Sequence, residues 1–206
     1  MKTIIKTVLI ATAMLPAFIG NAQDKKKVES IAIGADIPVA TQKMRSTDGK
    51  EVSLKSANKN GLIVMFSCNS CPYVIKSQER TKEIMAFAKE KGVGMVVVNS
   101  NQAYREKDDS FEEMKRYGME QGYTAPYVLD EGSALADAFG ANRTPEVFLF
   151  DKGGKLVYKG AMEDSPATPA SSKELYLKDA ILKMQAGLAP DPSVTKSIGC
   201  SIKRSI

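Results

Sequence analysis

The sequence predicts an α/β domain built on a mixed sheet, and three observations carry that expectation. Leu62 to Phe66 (LIVMF) and Val93 to Val98 (VGMVVV) are short apolar runs without polar alternation, the pattern of strands buried on both faces. A stretch with apolar residues at helical spacing lies between them, giving a strand–helix–strand unit. Further on, TPEVFLFDKGGKLVYKG reads as two strands around Gly153-Gly154, and so short a turn makes them antiparallel. A sheet holding both kinds of pairing, with helices between its strands, is an α/β domain.

In chain order, IPVATQKMRSTDGKEVSL reads as two short strands around an Asp48-Gly49 turn. The first long helix opens with Pro72, whose missing N–H would have no partner in a first turn. Val74, Ile75, Gln78, Ile84, Met85 and Ala88 follow its spacing, and Gly92 is its stop. Residues 101–109 are polar and are expected at the surface. Ser110 and Glu113 form a capping-box pattern at the head of an inserted helix. Ala125 to Leu129 is a short strand and Ser133 to Phe139 a short helix. A final helix spans Ser172 to Gln185, headed by a second capping-box pair, Ser171 and Glu174, and ended by Gly187. The tail LAPDPSVTKSIGCSIKRSI holds two prolines and no helical pattern. Its Val194, Ile198, Cys200 and Ile202 share parity, so an extended tail would turn all four toward the body.

The 206 residues are 43% hydrophobic and 26% charged, the composition of one ordinary domain. Lys2 and Lys6 precede TVLIATAMLPAFIG, an apolar run too short to span a membrane comfortably. Gly20-Asn21-Ala22 then supplies the small residues of a signal-peptidase site. The expected division is a signal peptide over 1–22, a linker over 23–36, a folded domain over 37–187 and an extended tail over 188–206. The mature chain is expected to be exported to the periplasm and not to be an integral membrane protein. The formal charge of +5 loses the two signal lysines and becomes +3, too weak to imply nucleic acid. Lys25 to Lys27 read as a solvated tether. The chain has no histidine, which excludes Ser-His-Asp and Cys-His nucleophiles, imidazole-bound zinc and histidine-held haem.

Two of the three cysteines stand in SCNSCPYV, Ser67 to Val74. A pair spaced this way can be half a metal site, a packed pair, a short structural bridge or a redox couple. A zinc site needs four ligands and only Cys200 remains to be added. A loop this short gains little from closure. The redox reading uses more of the context. The motif sits where a buried strand ends and a helix begins, and helix N–H groups there stabilise a thiolate. Cys68 is then the expected exposed nucleophile, and Cys71, in the first turn, the more buried thiol that resolves the mixed disulfide. Cys200 is either a buried thiol acting as a small apolar residue or a third redox cysteine on a tail folded over the site.

DGKEVSL, LIVMFSCNSCPYV and RTPEVFLFDKGGKLVYKGA together resemble the thioredoxin-like superfamily, in particular its exported redoxin branch of thiol–disulfide oxidoreductases and peroxiredoxin-related (AhpC/TSA) proteins. The resemblance covers Ile37 to Gln185. It implies a thioredoxin-like fold: a mixed central sheet flanked by helices, with an N-terminal β-hairpin and a helical insert. It also implies thiol–disulfide exchange with no bound cofactor or metal. Partners would be cysteine-containing envelope proteins and, for a reductant, a membrane electron donor. Pro145 takes the place of the cis-proline that faces the cysteines, and Thr144 would offer its backbone to an extended substrate. Glu146 would take the proton of Cys71 during resolution. Tyr73, with Val74, would line the substrate surface or cap the helix. The middle pair Asn69-Ser70 lacks the histidine of strong oxidants, which favours a reductant or isomerase. Met65 stands where peroxiredoxins place a threonine before their reactive cysteine. A thiol peroxidase, with Arg143 near the thiolate, and a non-enzymatic binding domain with an inert bridge are the alternatives.

Overall fold

The computed structural model describes residues 29–205. The expected signal peptide, its cleavage site and the expected lysine tether fall outside them. Two short antiparallel strands, β1 (Met44–Arg45) and β2 (Glu51–Val52), flank the Asp48-Gly49 turn. A single helical turn, α1 (Leu54–Ala57), follows, capped by Ser53, whose hydroxyl accepts the Ser56 N–H. No helix is legible there in the sequence, because one turn carries too few residues to display a period.

The central sheet begins with β3 (Leu62–Ser67), which leads into α2 (Pro72–Lys76), α3 (Gln78–Glu90) and then β4 (Gly94–Asn99), parallel to β3. The expected single helix is divided at Ser77. Its hydroxyl donates back to Tyr73 O at 2.8 Å, competing with the helix ladder. Ile75, on the short first segment, is exposed, whereas Val74, Gln78, Ile84, Met85 and Ala88 are buried. Gly92 stops α3 with φ +65°, a left-handed conformation that glycine adopts without strain.

The insert helix α4 (Phe111–Glu120) is capped by Ser110, which accepts the Glu113 N–H; the Glu113 carboxylate turns instead to Arg116. Next come β5 (Tyr127–Leu129), α5 (Ala134–Phe139), β6 (Arg143–Thr144), β7 (Glu146–Phe150) and β8 (Leu156–Gly160). The last helix, α6 (Tyr176–Gln185), starts later than expected. Ser171 ends a 3-10 turn and donates to Thr168 O at 2.8 Å, so it cannot cap α6. A final strand, β9 (Cys200–Ser201), lies in the tail.

The five-stranded sheet runs β5-β4-β3-β7-β8, with β3, β4 and β5 parallel and β7 and β8 antiparallel. Successive residues of β3 face opposite sides. Ile63 and Met65 pack with Ile84, Met85, Leu177 and Ile181 on one face. Leu62, Val64 and Phe66 pack with Leu54, Leu135, Phe139, Phe148 and Phe150 on the other. Both faces are covered, which is why the strands read as unbroken apolar runs.

Two expectations about surface segments fail. Residues 29–36, expected as linker, lie on the body: Ile31 N donates to Phe139 O, Gly34 N donates to Leu156 O, and Asp36 bridges Lys155. The 101–109 loop turns partly inward, with Asn101 and Asp109 buried. Its polar groups satisfy one another, so polarity did not mean exposure.

Each outer edge of the sheet is met by another segment. Thr47 N donates to Tyr127 O beside the Ser46–Val128 bridge on β5. On β8, Lys159 N donates to Ser193 O and Thr195 N donates to Lys159 O.

Candidate active site

The site forms where β3 ends. Cys68 follows the strand directly, and Cys71 is the N-cap of α2, with Pro72 at the first helical position. Cys68, Cys71 and Val74 form one buried group, against which Tyr73 and Cys200 pack. All three cysteines are free thiols.

β6 faces the pair. The Thr144–Pro145 peptide is cis. Thr144 Oγ1 lies 3.4 Å from Cys68 Sγ, and the Thr144 carbonyl oxygen lies 3.2 Å from Cys71 Sγ, which donates to it when protonated. Thr144 thus touches both sulfurs, and Pro145 is buried beside them.

The exposure order of the two cysteines is not the expected one. Neither is exposed, and Cys68 is the deeper, at the end of a buried strand. Cys71 is the one that meets the helix N-terminus. Its thiol is pulled down to about 4 by the hydrogen bond from Cys68, against the opposing effect of burial, with further donation from Cys200 and from the Val74 and Cys200 backbone N–H groups. The hydrogen bond with Cys71 and burial push the Cys68 thiol well above its ordinary range, with the Asp109 charge adding to the rise. The expectation of an exposed Cys68 is corrected: the strand end buries it, and Cys71 is the residue that caps α2.

A redoxin family model matches residues 22–175. The chain belongs to the redoxin family. This redoxin is 25% identical over 156 residues to the thiol-disulfide oxidoreductase ResA of Bacillus thuringiensis, a match covering 76% of this chain and 83% of the relative. Among solved structures it matches an uncharacterized conserved protein from Geobacillus kaustophilus with a TM-score of 0.77 and 32% identity, covering 84% of this chain and 93% of that one. The thioredoxin domain of a thiol-disulfide oxidoreductase from Bacteroides vulgatus matches with a TM-score of 0.55 and 20% identity, covering 68% and 96%. The fold of the redoxin is therefore thioredoxin-like.

Glu146 does not approach the sulfurs as a base. Its Oε2 accepts the Asn142 and Arg143 N–H groups at 2.8 and 3.1 Å, and its Oε1 accepts the Ser197 hydroxyl at 3.1 Å. The carboxylate follows the cis-proline in sequence, but it points to the loop before β6 and to the tail. Arg143 is exposed, and its guanidinium donates to Gly199 O at 3.4 Å rather than to a thiolate. Tyr73 is half-buried against the cysteines, and its backbone N–H meets the Cys200 sulfur.

One part of the site was not found by sequence reasoning, and a second, the tail cysteine, stood between two readings. The first is the buried Asp109. Its Oδ1 accepts the Asn69 N–H at 2.8 Å and Asn99 Nδ2 at 2.7 Å, while Oδ2 accepts Asn101 Nδ2 at 2.9 Å. Asn69 Oδ1 in turn accepts the Tyr127 hydroxyl at 2.8 Å. The signal was Asn99-Ser100-Asn101, a polar triplet placed directly at the end of a buried strand. The second is the tail, which brings Cys200 Sγ to 2.7 Å from Cys71 Sγ. Among the described residues no group of three or more Cys, Asp or Glu is placed to hold a metal ion. No helix among them is long and apolar enough to cross a membrane.

Proposed function

We propose that this redoxin is an exported thiol–disulfide oxidoreductase whose nucleophile is Cys71. The observation that carries the reading is the position of Cys71 Sγ at the head of α2, with N–H and S–H donors converging on it. A thiolate held there attacks a disulfide of a cysteine-containing envelope protein. The S–S bond of that partner breaks, a mixed disulfide forms on Cys71, and one partner thiolate leaves. Cys68 donates to the thiolate and holds it ionised, the reverse of the roles expected from the motif. A second thiol completes the exchange, and two stand next to Cys71.

Thr144 and Pro145 shape the approach, because the Thr144 backbone is the edge nearest the sulfurs. Tyr73 borders the same opening. Glu146 is a positioning residue: it holds the turn into β6. The ResA relatives, which carry the name thiol-disulfide oxidoreductase, support the reaction class. With Cys71 reactive, the position three residues before it is Cys68, again not the threonine of the peroxiredoxin pattern, which favours exchange over peroxide reduction. A membrane electron donor would recharge the protein if it works as a reductant.

The test is reduction of a model protein disulfide by purified variants. Cys71→Ser is expected to lose it entirely. A Cys71→Ser protein that still reduced the disulfide at the normal rate would end this assignment.

A further inference from the structure

We propose that Cys200 is the resolving thiol of this redoxin: the C-terminal tail docks as a strand on the Thr144 edge and delivers Cys200 to Cys71, so that the oxidised protein carries a Cys71–Cys200 disulfide. The proposal rests on the reading of Cys71 as the nucleophile.

The tail is built into the site rather than laid over it. β9 pairs antiparallel with β6, Cys200 opposite Thr144 and Ser201 opposite Arg143. Thr144 is the residue whose backbone would meet an extended substrate. The tail therefore holds the place of a substrate strand, with a cysteine at the point of reaction.

Gly199 makes this approach feasible. A Cβ on it would stand 2.1 Å from Thr144 O, 2.7 Å from Thr144 C and 3.2 Å from Pro145 N, all backbone atoms that cannot swing aside. The inward face of the tail also changes phase here. Thr195 and Ser197 reach the body through Tyr158 and Glu146, while Val194 and Ile198 are exposed. After Gly199 the even positions turn in, with Cys200 against Cys71 and Ile202 buried. The uniform parity expected for the tail is broken at the residue that lets Cys200 reach the site.

Anchors lie on both sides. Upstream, Thr195 Oγ1 is 2.6 Å from the Tyr158 hydroxyl and accepts Ala161 N–H at 3.0 Å. Downstream, Ile202 N donates to Asn142 O, Lys203 N to Asn101 Oδ1, and Arg204 Nε to Asp137 Oδ1. Residues 196–201 are held at both ends, so they can lift from the sulfurs and return to the same register.

Cys200 suits resolution better than Cys68. Cys68 is fully buried, bonded to Thr144, and its thiol is driven far above the ordinary range. Cys200 is half-buried and its thiol is raised to about 11, by burial first and then by the hydrogen bond and charge of Cys71. Those last two causes vanish once Cys71 is tied up in a mixed disulfide, while Lys203 continues to favour the Cys200 thiolate.

The step balances. Cys71 thiolate attacks a substrate disulfide and releases one substrate thiolate. Cys200 gives up its proton and attacks Cys71 Sγ, the Cys71–Cys200 bond forms, and the second substrate sulfur leaves and is protonated. The substrate disulfide gains two electrons and two protein thiols lose them. Since the tail takes the edge that the substrate held, resolution and displacement of product are one event.

The test follows the reduced full chain in excess glutathione disulfide, with timed alkylation and peptide mapping by mass spectrometry. In the wild type a glutathione adduct on Cys71 should give way to a Cys71–Cys200 bridge. Loss of a tethered thiol should slow that second step by roughly tenfold or more in Cys200→Ser. Gly199→Ala keeps all three thiols but lifts the tail: adduct formation should speed up and resolution slow down, opposite changes that general loosening would not produce. A wild type that resolves to Cys68–Cys71, or a Cys200→Ser protein that resolves at the wild-type rate, overturns the proposal alone. An adduct on Cys68 instead of Cys71 overturns the nucleophile assignment with it.

Discussion

Asn69, between the two motif cysteines, donates its backbone N–H to the Asp109 carboxylate at 2.8 Å. This bond ties the redox loop to the loop after β4, and Asn99 and Asn101 donate to the same group. Asp109→Ala removes the acceptor these donors share, two of them on fully buried side chains, and leaves Asn99 Nδ2 only the Tyr127 hydroxyl. The expected cost is about 3 kcal/mol of stability, read as a lower midpoint in urea unfolding. A loss below about 1 kcal/mol would mean that water replaces the carboxylate.

Cys71 should react with iodoacetamide far below the pH of an ordinary thiol. Only the thiolate is alkylated, and its pKa in the fold is lowered, so the reactive form persists as pH falls and disappears only toward about 4. A free cysteine would lose it below about 8.5. The check is the rate of Cys71 carboxamidomethylation against pH, mapped by peptide. A rate that still climbs through the ordinary thiol range would contradict the stabilised thiolate.

Glu146 separates a positioning role from proton transfer. A general base contributes roughly a hundredfold or more. Glu146→Gln keeps an oxygen for the Asn142 and Arg143 N–H groups and an amide that can donate to Ser197. Its exchange rate should therefore drop much less than that. Glu146→Ala, which abandons all three contacts, should lower both the rate and the melting temperature. Equal hundredfold losses in the two variants would restore the base.

Phe139 sits at the centre of an aromatic group, with its ring centroid 5.4 Å from Phe66, 5.1 Å from Phe148 and 5.8 Å from Phe150, all edge-on. Phe139→Ala should cost about 4 kcal/mol through lost burial and the cavity left behind. Equilibrium denaturation measures it, and a cost under about 1 kcal/mol would mean that the helix α5 collapses onto the gap.

How far the sequence could be read follows from where each signal resides. LIVMF and VGMVVV disclosed β3 and β4 because burial on both faces leaves no polar residue in the run. The redox site was legible as a motif at a strand–helix junction. Which thiol meets the helix N–H groups was not, because that turns on β3 running through Ser67 and burying Cys68 at its end. Ser77 interrupts the helix through a side-chain bond that no period reveals. The partnership of Cys71 with Cys200 spans 129 positions, and only the closed fold brings them together.

The tail segment that runs past Lys159 has a further effect on the molecule as a whole. A β-sheet with an open outer strand offers unpaired N–H and C=O groups to any similar chain, and this is a common route to aggregation. Here Ser193 and Thr195 occupy the outer side of β8, and the Ser46-Thr47 turn occupies that of β5. Neither end of the sheet is free to recruit a neighbour. The segment that carries a thiol to the site also covers an edge strand, so a chain cut before Ser193 is expected to bare that edge along with losing its third cysteine.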